Sequence, residues 1–262
     1  SGPGGWTNRL AQPAPKPGQM RLWTYQSIAH GADMVLYFRW RTATMGTEIY
    51  WHGINDYHNR PNRRIREAAQ IGREIEAIGA RVAGTRSTAR IAIVSDYENS
   101  WDGELDGWHG PYTQQSVTAW FAALQYRHIP VDSFSMQATT SLEALSAYET
   151  LVYPHAAILT DATAQLLSEY VKQGGKLVFG ARTGYKDATG QCYMRPLPGP
   201  VAELCGITVE DFTQIGPSEH APLLKWKTDT TNTIAAIGFN DILHVEAAHA
   251  EVLAEYAGGY YS

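Results

Sequence analysis

Seven residues able to engage a polyhydroxylated ligand crowd into one stretch of the chain. Arg39, Trp40, Arg41, Glu48, Tyr50, Trp51 and His52 fall within 14 residues. A carboxylate and an imidazole can hydrogen-bond vicinal hydroxyls, and an indole plane can pack against the C–H face of a sugar ring. Two readings are open on chemistry alone. In one, Glu48, Trp51 and His52 hold a sugar. In the other, Glu48 pairs with Arg39 or Arg41 and Trp51 packs in a core. Catalysis is a separate matter, because glycoside hydrolysis normally needs two carboxyl groups flanking the bond, about 5–5.5 Å apart in retaining enzymes. The only acid before Glu48 is Asp33, which precedes the apolar run leading into this loop. The local residues supply no convincing catalytic pair.

Other chemistries fare worse. Amidotransferase-type catalysis needs a Cys on a tight strand-to-helix elbow with a His to activate it. The strand end LVYP instead runs into HAAILTD, and Cys192 and Cys205 lie in irregular or helical contexts. Two cysteines make neither a disulfide framework nor a zinc site, and they read as free thiols in a reducing, cytoplasmic setting. No GxGxxG or GxxxxGK[ST] occurs, and the turn after Val94, SDYENSWDGELDGW, would repel phosphate. No cofactor and no metal are implied. A net charge of −5 and a pI near 6.0 give no electrostatic case for nucleic acid or an anionic membrane. Arg60 to Arg66, the one basic cluster, alternates with apolar positions and reads as the solvated face of a helix. No apolar run approaches the roughly 18 residues of a membrane helix. Eight Trp and 15 Tyr exceed an ordinary core's needs, which fits a sugar cleft and an interface equally.

The elements that must position these residues divide the chain in two. The first 17 residues are Gly- and Pro-rich and cannot be regular structure. A helix is predicted from Gly18 to about His30, with Gly31 ending it. MVLYFRW, Met34 to Trp40, reads as a strand buried on both faces, the habit of parallel sheets. The polar and aromatic loop then feeds a helix over 61–78. This amounts to about one and a half βα units, too little to close a core. VAGTRSTAR, Val82 to Arg90, reads as a linker. Beyond it, strands at Arg90–Ser95, Val131–Phe134, Leu151–Tyr153 and Lys176–Phe179 alternate with helices at Thr113–Arg127 and after Thr160. That alternation implies an α/β fold with a doubly wound parallel sheet. After Gly180 the pattern weakens, with a short helix near Val201–Leu204 and another expected over Ala247–Tyr256.

The order of motifs SGPGGWTN, KPGQMRLW, AHGADMVLYFRWR and GTEIYWHGINDYHNR resembles the end of the catalytic barrel in family 42 β-galactosidases. RIAIVSDYENSW, LVYPHAAILTDATAQLLSEYVKQGGKLVFGARTGYKD and PLPGPVAELCGI are similar to that family's trimerisation domain. The resemblance implies that residues 1–84 are the last strand and helices of a (β/α)8 barrel. It implies that residues 88–262 form a flavodoxin-like (class I glutamine amidotransferase-like) trimerisation domain, truncated at its C-terminal end. It also implies a retaining β-galactosidase acting on terminal β-D-galactosides as a homotrimer. The nucleophilic Glu is expected immediately before Ser1 and the acid/base Glu earlier in the barrel. Neither catalytic residue then falls in this chain, which is expected to be inactive alone. Trp6, Asn8, Glu48, Trp51 and His52 are carried over as substrate-binding residues. Relatives differ in detail, with Asn and Trp adjacent and the His three residues after the Glu. A non-catalytic self-association or carbohydrate-binding module is the alternative.

Overall fold

The computed structural model describes residues 14–46, 49, 53–86, 88–106, 112–216, 220–229, 231–248 and 250–257. The chain divides into two compact units, Ser1–Thr88 and Ala89–Ser262.

In the first unit, α1 (Gln19–Ala29) begins after Gly18 at φ +85° and closes where Gly31 takes φ +90°. Glycine reaches that left-handed region without steric cost. α2 (Arg63–Val82) starts at Asn62, whose Oδ1 accepts from Ile65 N at 3.0 Å and satisfies one of the helix's free amides. The two helices meet around Glu74. That carboxylate accepts from Arg21 Nε at 2.7 Å, Tyr25 Oη at 2.9 Å and Gln70 Nε2 at 2.8 Å. Arg21, then Gln70 and Tyr25, hold the Glu74 carboxyl down at about 2.

The expected doubly buried strand over 34–40 does not form. The segment is extended and alternates, but Met34, Leu36, Phe38 and Trp40 face solvent, 57–81% exposed. Apolar composition calls for burial, whereas burial requires neighbouring strands on both edges, and among the described residues this segment pairs only at its end. There Ile54 N donates to Arg39 O and Asn55 N to Trp40 O, both at 2.7 Å, and Arg41 forms a parallel bridge with Asn55.

The second unit is built on a parallel sheet of β1 (Ile91–Ser95), β2 (Val131–Ser135), β3 (Thr150–Tyr153) and β4 (Lys176–Phe179), in the order β2-β1-β3-β4. Its connections carry α3 (Tyr97–Leu105), α4 (Tyr112–Tyr126), α5 (Leu142–Ser146) and α6 (Asp161–Lys172). Since β2 and β3 flank β1 on opposite sides, right-handed crossovers place the helices leaving β1 and β2 on opposite faces. The core joins Ala92, Val94, Leu151, Leu145, Leu167 and Tyr170, all fully or almost fully buried. Gly175 lies under the Tyr170 ring, where any Cβ would overlap the aromatic carbons.

Beyond β4 the chain turns antiparallel. After α7 (Ala202–Cys205), β5 (Ile207–Ile215) pairs with β8 (Gly238–Val245). A separate sheet joins β7 (Thr233–Ala235), β6 (Leu223–Trp226) and β9 (Ala254–Ala257) in that order. The helix expected over 247–256 is thus replaced by a loop and β9. Val252, Ala254 and Tyr256 turn partly inward while Glu251, Leu253 and Glu255 face out. That period of two suits pairing with β6 and overrides the helix propensity of Ala, Glu and Leu. The acidic, aromatic turn after Val94 is likewise corrected. It is α3, capped by Asp96, whose Oδ1 accepts from Asn99 N at 2.7 Å.

Candidate functional site

Trp6, Asn8, Glu48, Trp51 and His52 all lie outside the described residues, as does Tyr50. The base of the loop that carries Glu48, Trp51 and His52 is described. Thr42 and Asn55 close it, with Thr42 N donating to Asn55 O at 3.0 Å and Gly53 N to Thr42 Oγ1 at 2.8 Å. Gly53 sits so close to the Arg41 backbone that a Cβ would overlap it. From α2, buried Arg64 donates Nε to Gly53 O at 3.0 Å and pairs with Asp56. Burial pushes the Asp56 carboxyl up, but the Asn62 hydrogen bond and the Arg64 charge more than offset it, leaving it below its usual value. Thr42, Gly53 and Asn55, the two ends of this loop, are therefore tied to each other, and α2 clamps them through Arg64.

In the second unit the polar residues gather at the carboxyl edge of the parallel sheet, where open α/β folds place their ligand crevices. Asn99, 2% exposed, donates Nδ2 to Asp96 Oδ2 at 2.8 Å and to Ile158 O at 2.9 Å, and its Oδ1 accepts from Ile158 N at 2.7 Å. The Tyr153 hydroxyl donates to the same Asp96, and burial followed by the Asp96 charge raises its pKa far above normal. Lys186 meets Asp102 at 2.6 Å, and Arg182 meets Asp106 at 2.8 Å, in pairs that are largely buried. Asp241 on β8 accepts from Arg182 N and Tyr185 Oη, each at 2.8 Å. Its pKa is nonetheless raised, by burial.

Among the described residues, this edge binds itself together and shows no couple for covalent catalysis. The turn after β3 presents Pro154 and His155 where a nucleophile would stand. Burial, then the Arg182 charge, depresses the His155 imidazole to about 4, so it is neutral at pH 7. Its Nε2 is sealed without a hydrogen-bond partner, so no hydroxyl, that of nearby Ser116 included, is activated by it. Cys192 and Cys205 are both free, and burial pushes the Cys205 thiol up rather than activating it. Among the described residues no group of three His, Cys, Asp or Glu could hold a metal, and no helix is long and apolar enough to cross a membrane.

Sequence reasoning missed this network. A signal for it exists, since Asp96, Asn99, Asp102 and Asp106 recur at three- and four-residue spacing along one side of α3 and its caps. The other side of that helix presents Tyr97, Trp101 and Leu105 to solvent, 66%, 58% and 85% exposed. The two rings are 5.6 Å apart.

Comparison with known proteins places both units. Residues 1–78 match a family model described as β-galactosidase, and residues 89–262 match one described as β-galactosidase trimerisation domain. The β-galactosidase BgaA of Clostridium cellulovorans is 29% identical over 260 residues, covering 99% of this chain and 38% of that protein. BgaH of Haloferax lucentense is 34% identical over 204 residues, covering 75% of this chain and 28% of that protein. The crystal structure of a β-galactosidase from Bacillus circulans sp. alkalophilus superposes with a TM-score of 0.88 at 29% identity, over 99% of this chain and 38% of the other. This chain thus spans 28–38% of the length of these relatives. Two adjoining family matches and a superposition over nearly the whole chain agree, and the chain belongs to the β-galactosidases of glycoside hydrolase family 42.

Proposed function

We propose that this chain works as part of a β-galactosidase that releases terminal non-reducing β-D-galactose by a retaining two-glutamate mechanism. The observation that carries the reading is the superposition at TM-score 0.88 over 99% of the chain, spanning both family matches. Residues 1–84 act as the last strand and helices of a (β/α)8 barrel, which would pair the apolar segment 34–40 on both edges. The clamped loop then lies at the carboxyl end of that strand, where such barrels place their sites. Glu48, Trp51 and His52, with Trp6 and Asn8, form the rim that holds the galactose hydroxyls and stacks its C–H face. The only acid before Glu48 in the sequence is Asp33, ahead of the apolar segment, and the chemistry is assigned to two glutamates outside this chain. Residues 88–262 act as a flavodoxin-like homotrimerisation domain, a role supported by a carboxyl edge whose polar groups are spent on one another. The cytoplasm, which keeps two free thiols reduced, is the compartment assigned.

The purified chain is expected to leave a chromogenic β-galactoside uncleaved while sedimenting as a trimer. Measurable turnover by the purified chain would overturn the assignment of both catalytic acids to residues outside it. A monomer at 100 µM, roughly the upper working range for a domain of modest affinity, would overturn the assembly role.

A further inference from the structure

The loop that carries Glu48 is gripped at two places by residues that follow it in the chain. At its base, Arg64, 8% exposed, donates Nε to Gly53 O at 3.0 Å and pairs with Asp56. Asp56 Oδ2 also accepts from Asn62 Nδ2 at 2.8 Å, and Asn62 Oδ1 in turn caps α2. The start of α2 thus fixes Gly53, the residue after His52. Gly53 has little room to answer a shift, because it already lies against the Arg41 backbone. Further out, Ile49 N donates to Gly46 O at 3.3 Å, which joins the residues on either side of Thr47 and Glu48. The Tyr57 hydroxyl donates to Ile49 O, and the Tyr57 carbonyl accepts from Arg41 Nη2 at 3.1 Å. Tyr57 is therefore held by its backbone while its side chain holds the residue after Glu48.

The physical character of these contacts says what they are for. Tyr57 is 44% exposed and Ile49 half-buried, so water can replace their hydrogen bond at little cost to folding. A bond that contributes little stability still fixes where the Ile49 carbonyl sits. The Arg64–Asp56 pair is more buried, and pairs of that kind demand one geometry. Arginine meets the demand because its planar fork serves the Gly53 carbonyl and the Asp56 carboxylate together, which a lysine ammonium on its flexible stem does not. Placement matters because a ligand-holding group displaced by about 1 Å can cost an enzyme about a hundredfold in rate.

We propose that Tyr57 and Arg64 are positioning residues for the galactose-binding loop: Arg64 sets its base through Gly53 O, and the Tyr57 hydroxyl sets the Glu48 end through Ile49 O. The inference rests on the reading of Glu48 as a galactose ligand and adds the two side chains that aim it. Both act through backbone carbonyls of the loop rather than through the sugar.

The test uses the intact β-galactosidase of which this chain is part, assayed on a chromogenic β-galactoside. Tyr57→Phe removes one hydroxyl and should lower kcat/KM about tenfold. Its melting temperature should stay within about 1 °C of the parent, since water takes over the bond. Arg64→Lys keeps the charge beside Asp56 but not the fork, and should also lower kcat/KM about tenfold. In a Glu48→Ala background each of these losses should shrink to about twofold or less, because the group being aimed is already gone. Variants that keep the parental kcat/KM, or that lose the same factor in both backgrounds, overturn the inference while leaving Glu48 as a ligand. Glu48→Ala with parental kcat/KM overturns the reading of Glu48 and this inference with it.

Discussion

Asn99 offers the sharpest measurable consequence of the network at the carboxyl edge. It ties the first turn of α3 to the backbone of Ile158 by two hydrogen bonds, at 2.9 and 2.7 Å, and holds Asp96 by a third at 2.8 Å. Asn99→Ala removes all three while leaving the helix cap at Asp96, whose Oδ1 accepts from the residue 99 backbone amide. The cost falls mainly on Ile158, whose N–H and C=O lose their partner in a partly buried setting. Each unsatisfied buried group costs about 1–3 kcal/mol, so the variant should lose about 2–5 kcal/mol. For a unit of this size that lowers the melting temperature by roughly 5–15 °C. Urea titration of the second unit reads the total, and hydrogen exchange reads the site, because the Ile158 amide should lose its protection in the variant. A loss under about 1 kcal/mol with the Ile158 amide still protected would refute the claim that Asn99 is the strut between α3 and the loop after β3.

Three further outcomes follow from the same geometry. Gly175→Ala drives a methyl into the Tyr170 ring and should cost about 1–3 kcal/mol in urea titration, whereas Gly190→Ala, at φ +80° with open space around it, should cost less by relieving no contact and adding only backbone strain. The depressed His155 makes stability pH-dependent: the unfolded chain binds its proton near 6.5 and the folded chain near 4, so stability is full above 6.5 and falls as pH drops toward 4. The loss amounts to roughly 3 kcal/mol, and His155→Gln should flatten that part of the stability curve. Glu74, held near 2 by Arg21 first, contributes stability above about 4.5 that is lost as pH falls through 2. Its carboxyl carbon shift should titrate near 2 and move up toward 4.5 in Arg21→Ala.

The parallel sheet is legible because its strands are short β-branched runs closed by turn residues, and its helices declare themselves by caps. Thr160, accepting from Thr163 N at 3.1 Å, and the Gly174 turn at φ +97° stand where their residue types imply. Legibility fails where an element takes its character from neighbours. The segment 34–40 reads as doubly buried and is half exposed, because its composition speaks for strands that would have to lie beside it. The end of the chain fails in the opposite direction. Ala, Glu and Leu favour helix locally, yet Tyr256 and Ala254 are drawn into pairing with β6. α3 is hidden for a third reason, since Asp, Asn, Ser and Gly crowd a stretch that reads as a turn until Asp96 is seen to cap it. The rim residues Glu48, Trp51 and His52 draw attention by type and spacing, but their roles rest on the family resemblance, and only their clamped neck is on view.

The inner face of α3 is tied by Asn99 to the loop after β3, by Asp102 to Lys186, and by the Asp106 cap to Arg182. Buried pairs of this kind add little net stability against apolar replacements, but they are sensitive to geometry and so fix where a helix sits. A ligand site at the same edge would need some of those donors and acceptors left open toward solvent, and here the polar groups without partners are sealed from it. Among the described residues, the buried polar groups of this edge are thus spent on holding one short helix in place. Lys186→Met leaves the largely buried Asp102 carboxylate without its cation, 2.6 Å away, and should cost about 3–5 kcal/mol in urea titration, far more than a surface control such as Gln165→Ala. Equal stability for the two would refute the claim that the Asp102–Lys186 pair fixes the helix.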